Sequence, residues 1–239
     1  VIIDIDERSL AELGRWPWNR LRLADLVDSI CGQYGALLLG LDVILAEADE
    51  SSGLSTLDVL ARGSLGQNVG FQLALQALRP ALDYDRRLAM VMRRYPVILG
   101  FHLSTGAGAA RSGQLPPPVA IEPALAAQAR SLTQWAGYGG NLAILQQAAT
   151  AAGFLSAPLD SDGVTRRAFL LAAHDGEVYA ALSLVMAQLL LGNHGLQLRF
   201  ADRARWQSGM GALEAIELPT ARGVLRIAVD KQGAVLLPF

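Results

Sequence analysis

Val1-Ile2-Ile3-Asp4-Ile5-Asp6, Arg15-Trp16-Pro17-Trp18-Asn19-Arg20 and Leu39-Gly40-Leu41-Asp42 are the three pieces of sequence that decide how this chain is read. Residues 1–6 alternate: Val1, Ile3 and Ile5 point one way, Ile2, Asp4 and Asp6 the other, which is the period of a β-strand. Asn19 has the chemistry of a helix N-cap and Gly35 that of a helix stop, so a helix is predicted over 20–34. Leu23, Ala24, Val27, Ile30, Cys31 and Tyr34 form its expected core stripe. Residues 36–43 are continuously apolar, as expected of a strand buried on both faces. Strand, helix and strand in this order predict a right-handed βαβ unit with a parallel pair.

Working outward, residues 9–13 predict a short helical turn stopped by Gly14. Residues 51–82 carry helical stretches around Leu57 and Leu73 and read as an insertion. A helix is predicted over 83–94, with Leu88, Val91 and Met92 inward, and a third buried strand over 97–101. Residues 104–118 are rich in Gly, Ala and Pro and read as a mobile loop. Helices are expected over 123–132 and 141–152.

From Gly153 the pattern turns β-rich. Strands are predicted over 154–159 and 164–173, with Asp175-Gly176 as a hairpin turn. A buried helix over 180–191 precedes strands around 196–200, 215–218, 224–229 and 234–237, the last pair joined by a turn at 230–233. The predicted fold class is α/β. One domain over 1–239 holds a mixed sheet, with a parallel βαβ N-terminal part, antiparallel hairpins in the C-terminal part and helices on both faces.

Composition removes several function classes. The net charge is −2 with a pI of about 5.9, and no basic stripe is present, so nucleic acid is not an expected partner. A single cysteine, Cys31, excludes an internal disulfide framework and a multi-cysteine zinc site, and reads as a small buried hydrophobe. At 239 residues and 52% hydrophobic content the chain can bury a sizeable core. Its apolar runs are shorter than the roughly 18–20 residues of a membrane span. It opens on Val1 inside the expected strand, without initiator Met or signal peptide, and is expected to be an excised piece of a longer protein.

Asp4, Asp6 and Asp42 fall at the ends of strands expected to be neighbours, the edge where α/β sheets bind ligands. Clustered carboxylates repel and call for a cation, a proton or an arginine, and Arg15 and Arg20 are nearest in sequence. Two readings stay open: a ligand or ion site, or helix caps and structural arginine pairs. Trp16 and Trp18 either stack a ligand ring or sugar, or plug the core or an interface. Asp160 and Asp162, followed by Arg166, resemble part of a calcium loop. No third acid in register and no closing Glu follow, and Asx-turn chemistry explains both aspartates. No metal is therefore assigned. His102, His174 and His194 lack ligand spacing. The nucleophile-elbow, Walker, dinucleotide and zincin motifs are absent, so no catalytic residue and no cofactor are expected.

Five blocks in order resemble the CHASE domain of type two, an extracytoplasmic sensor module of bacterial receptors. They are Ile5-Asp6-Glu7-Arg8-Ser9-Leu10, then Gly14-Arg15-Trp16-Pro17-Trp18-Asn19-Arg20, then Gly40-Leu41-Asp42-Val43, then Asp85-Arg86-Arg87-Leu88-Ala89. The last is Gly153-Phe154 followed by residues 160–167, in the family pattern D-x-D-G-V-x-R-R, with Ser183-Leu184 resembling the helix after it. The resemblance covers most of 1–101 and 153–239, and departs over 51–82 and after Leu103. It implies a non-enzymatic periplasmic domain tethered to the inner membrane, with transmembrane helices and a cytoplasmic output domain in the same chain. That output is a cyclase, diguanylate cyclase or kinase. It implies an unidentified small-molecule or protein signal, and a further strand-helix segment beyond residue 239. Asp4, Asp6, Arg15, Trp16, Trp18, Arg20, Asp42, Asp160, Asp162 and Arg166 are the expected ligand-facing residues. The alternatives are a structural or dimerisation module without a ligand, and a carboxylate-metal hydrolase; a homodimer is among the expected partners.

Overall fold

The computed structural model describes residues 1–106, 108–121, 132–156, 162, 164–192, 195–201 and 212–237. It divides into two compact units: Val1–Ala36 with Ala48–Tyr95, and Leu37–Glu47 with Pro96–Phe239.

The first unit is built from helices. Asp6 caps α1 (Glu7–Leu13), which Gly14 ends at φ +89°. The Asn19 side chain accepts the Arg22 N–H and starts α2 (Arg20–Val27), which continues as a π-helical turn over Asp28–Gln33. The predicted stripe is buried from Leu23 to Cys31, whereas Tyr34 is exposed beyond the helix end. Residues 51–82 form α3 (Leu54–Arg62) and α4 (Val69–Leu82), and Asp83 caps α5 (Tyr84–Met92). Leu88, Val91 and Met92 are buried, and α5 packs along α2.

Residues 1–6 do not form the predicted strand. They are largely exposed, and the first unit offers no strand among its described residues to pair with them. Alternation specifies a strand only where a neighbour completes the ladder. The parallel βαβ unit therefore falls one step later in the sequence. Its parallel pair is β1 (Leu39–Leu41) with β2 (Val97–Ser104), in register Leu39 to Val97, and α3 to α5 lie between them in sequence.

β2 is the spine of the second unit. Val97, Ile98, Leu99, Phe101 and Leu103 are buried, so it reads as the apolar run expected of a central strand. It pairs in parallel with β1 and with β5 (Ala151–Phe154), and antiparallel with β4 (Gly137–Gly139). β3 (Arg111–Ser112) pairs with β4, so the stretch expected as loop over 104–118 contains a strand. The helix expected over 141–152 shrinks to α6 (Ala143–Gln146), because Asn141 is used otherwise. Fully buried, it accepts the Leu45 N–H at 2.8 Å and donates to the Gly100 carbonyl at 2.9 Å, stitching the chain after β1 to β2.

The strand predicted over 164–173 is split into β6 (Arg167–Phe169) and β7 (Leu171–His174), and Asp175-Gly176 turns β7 into β8 (Glu177–Ala180) as predicted. α7 (Leu182–Leu190) follows. β9 (Gln197–Phe200), β10 (Leu213–Thr220) and β11 (Gly223–Ala228) make an antiparallel sheet. β12 (Ala234–Leu236) pairs with β6 rather than with β11, so the turn at 230–233 does not close the predicted hairpin. The helix expected over 123–132, except Leu132, and the strand end at 157–159 lie outside the described residues.

Candidate functional site

The tryptophan turn belongs to the first unit. The Trp16–Pro17 peptide is cis. Trp18 is 6% exposed, and its indole N–H donates to the Gly14 carbonyl at 2.9 Å, so its one polar atom is satisfied on burial. Trp16 is 39% exposed and meets the Trp18 ring edge-on, with centroids 5.8 Å apart. The Arg22 guanidinium lies 5.9 Å above the Trp18 ring, and its Nη1 donates to the Leu13 carbonyl. Trp18 is thus a plug, and Trp16 is the ring left facing outward.

Arg20 is set against two aspartates other than Asp4, Asp6 and Asp42. Its backbone N–H donates to Asp49, and its Nε lies 3.3 Å from Asp85 Oδ1, with the two side chains only 12% and 15% exposed. The Asp49 N–H in turn donates to Asp85 Oδ2 at 2.9 Å. Burial is the largest influence on Asp85 and pushes its carboxyl up, against the Asp49 N–H and Arg20. Burial also pushes Asp49 up. The Ser51 hydroxyl, the Arg20 N–H and the Ser51 N–H outweigh it together and hold that carboxyl below its usual range. Asp49 and Asp85 were legible only indirectly. Asp85 belongs to the D-x-x-L-A block, but nothing local signals a partner 65 positions away from Arg20.

The other expected site residues are placed as follows. The Ser9 hydroxyl and N–H donate to Asp6 at 2.6 and 2.8 Å and hold its carboxyl low, the work of an N-cap. Asp4 and Arg15 are exposed on the first unit. Asp42 is exposed at the end of β1 and belongs to the second unit. Asp162 accepts a bidentate pair from Arg166 at 2.9 and 2.7 Å, which lowers its pKa, and also the Val164 N–H. An Asx turn closed by an ion pair accounts for this segment. Asp160 and His194 lie outside the described residues. His174 is buried with Nδ1 2.8 Å from the Trp135 carbonyl. Among the described residues no group of three or more His, Cys, Asp or Glu side chains is placed to hold a metal ion. No described helix is long and apolar enough to cross a membrane.

The family model of the CHASE2 domain matches residues 1–239, the whole chain. The chain belongs to the CHASE2 family. CHASE2 domains are extracytoplasmic sensor domains of receptors. No curated protein and no solved structure matches the chain significantly. The CHASE2 match includes residues 51–82 and the segment after Leu103, where the motif resemblance departs, so both stretches fall within the family's span. In this CHASE2 domain the W-P-W-x-R block holds a buried indole, an outward indole and an arginine committed to two aspartates.

Proposed function

We propose that this CHASE2 domain is the non-enzymatic periplasmic sensor of a bacterial transmembrane receptor, and that residues 1–239 act as one sensory domain. In the full-length protein it is tethered to the inner membrane and feeds a cytoplasmic cyclase, diguanylate cyclase or kinase. The observation that carries this reading is the family match over the full chain. Stimulus recognition uses the outward face of the tryptophan turn, Trp16 with Arg15 and Asp4, while Asp6, Trp18 and Arg20 keep that face in shape. An exposed indole fixed against a buried one is a pre-ordered contact surface, which reduces the entropy lost on binding. A ligand preferring one of two receptor states shifts the output by its differential affinity.

Location and recognition are tested separately. A Ser55→Cys receptor, carrying a thiol on the exposed side of α3, is labelled by a membrane-impermeant maleimide in intact cells. Cys31 stays silent as background: it is buried, and burial with nearby Asp28 pushes its thiol up, away from the reactive thiolate. Labelling only after lysis overturns the periplasmic assignment. Trp16→Ala shifts the dose response of the full-length receptor while leaving expression intact. An unchanged dose response removes the turn from recognition.

A further inference from the structure

A cavity of about 390 Å³ opens in the second unit, within the range of small-molecule sites. Its floor is the start of β5 and the end of β8, where Ala151, Ala152 and Ala180 contribute only methyl groups. One wall is α7, through Val185, Gln188 and Leu189. The opposite wall is the strap Pro116-Pro117-Pro118-Val119-Ala120. We propose that this cavity is a binding site for a small, neutral, mainly apolar molecule carrying one hydrogen-bonding group.

Three features keep the cavity from collapsing. Consecutive prolines fix φ along the strap, and the Val119 N–H donates to the Val178 carbonyl at 2.7 Å, pinning the strap to β8. α7 cannot slide inward over β5. A Cβ on Gly153 would lie 2.5 Å from the Leu182 N and Cα, so helix and strand already touch backbone to backbone. The Tyr179 ring, which lines the cavity, is braced edge-on against Phe101, with centroids 5.8 Å apart. A void bounded by alanine methyls and a stiff strap forfeits dispersion contacts that a ligand supplies.

The lining specifies the ligand class. Among the described residues no charged side chain lines it, so an ionised guest would be desolvated there without a partner from them. Thr150, Tyr179 and Gln188 supply the polar groups, enough to orient one hydroxyl, carbonyl or amine. Burial pushes the Tyr179 hydroxyl up, so it stays a neutral donor at physiological pH.

This deepens the sensor reading and rests on it for its purpose, but binding is measurable without signalling. The isotope-labelled 239-residue chain is titrated with 1-naphthol at neutral pH and followed by amide chemical shifts. The expected result is saturable shifts focused on 119–120, 150–152 and 185–189, with a dissociation constant on the order of 0.1 mM. Anionic 1-naphthoate binds at least about tenfold more weakly, and so does 1-naphthol to Gln188→Trp, whose indole enters the cavity. Shifts that never saturate, or that centre elsewhere, overturn the site. Equal affinity for 1-naphthoate overturns the neutral class. The wild-type shift map decides the matter even where Gln188→Trp fails to fold. Saturable binding stands even if Trp16→Ala leaves the receptor's output unchanged, and a failed titration leaves the sensor reading to its own tests.

Discussion

The tryptophan corner of the first unit and the α7 wall of the second treat volume in opposite ways. The corner spends large side chains: Trp18 is buried with its N–H bonded, and Arg20 is shared between Asp49 and Asp85. The wall spends alanine and proline and leaves about 390 Å³ open. The difference teaches where tolerance lies. Truncation is expensive in the corner, and enlargement is cheap in the wall.

The largest expected effect comes from hollowing the corner. Trp18→Ala removes a buried indole and is expected to lose about 4 kcal/mol of unfolding free energy, read from urea denaturation. A loss below about 1 kcal/mol would break the contrast, since the corner would then be padding.

Removing one member of the buried ion pair comes next. Asp85→Ala leaves Arg20 without its carboxylate and is expected to lose about 3 kcal/mol. Arg20→Met combined with Asp85→Leu should lose clearly less, because both charges of the pair go together and the Asp49 carboxylate keeps the residue-20 N–H and the Ser51 N–H and hydroxyl. A double variant as damaged as the single one would mean that the pair itself, rather than the orphaned charge, carries the stability.

Acid sharpens the picture within the corner, because the two aspartates respond with opposite sign. Asp49 has a lowered folded pKa, so its contribution is present above the unfolded value of about 3.9 and is lost as pH falls through the folded one. Asp85 has a raised folded pKa. Its desolvated charge opposes folding at neutral pH, and protonation relieves this as pH falls through the folded value toward about 3.9. Urea midpoints between pH 6 and pH 3 should therefore fall less in Asp49→Asn than in wild type, and more in Asp85→Asn. Parallel curves for all three would contradict the assignment.

The smallest effect belongs to the wall. Ala151→Val adds two methyl groups toward open space and is expected to change stability by at most about 1 kcal/mol in either direction. A loss above about 2 kcal/mol would show that the wall is as full as the corner.

These contrasts also mark what the sequence made legible. α2 with its Asn19 cap, α5 with its inward face, the apolar run of β2 and the Asp175-Gly176 turn all follow from local signals. Local chemistry was enough because each signal and its consequence lie within one turn or one strand. Residues 1–6 failed for the complementary reason: alternation describes a face, and a face needs a partner that only tertiary structure supplies. Asn141 read as a helix start and became a clamp between Leu45 and Gly100, 96 and 41 positions away. Arg20 was offered, by proximity in sequence, as a cation for Asp4, Asp6 and Asp42, whereas the pairing of α2 with α5 sets it beside Asp85. The cavity was invisible, since runs of alanine and proline are as common in filled walls as in hollow ones.

Gly153 carries a mechanical consequence. Where most helices rest on a sheet through a cushion of side chains that can change rotamer, here main chain bears directly on main chain at Leu182. Such a joint has almost no slack. A shift of the strand here bears directly on the helix backbone, and a single methyl at this position would be a wedge between the two parts.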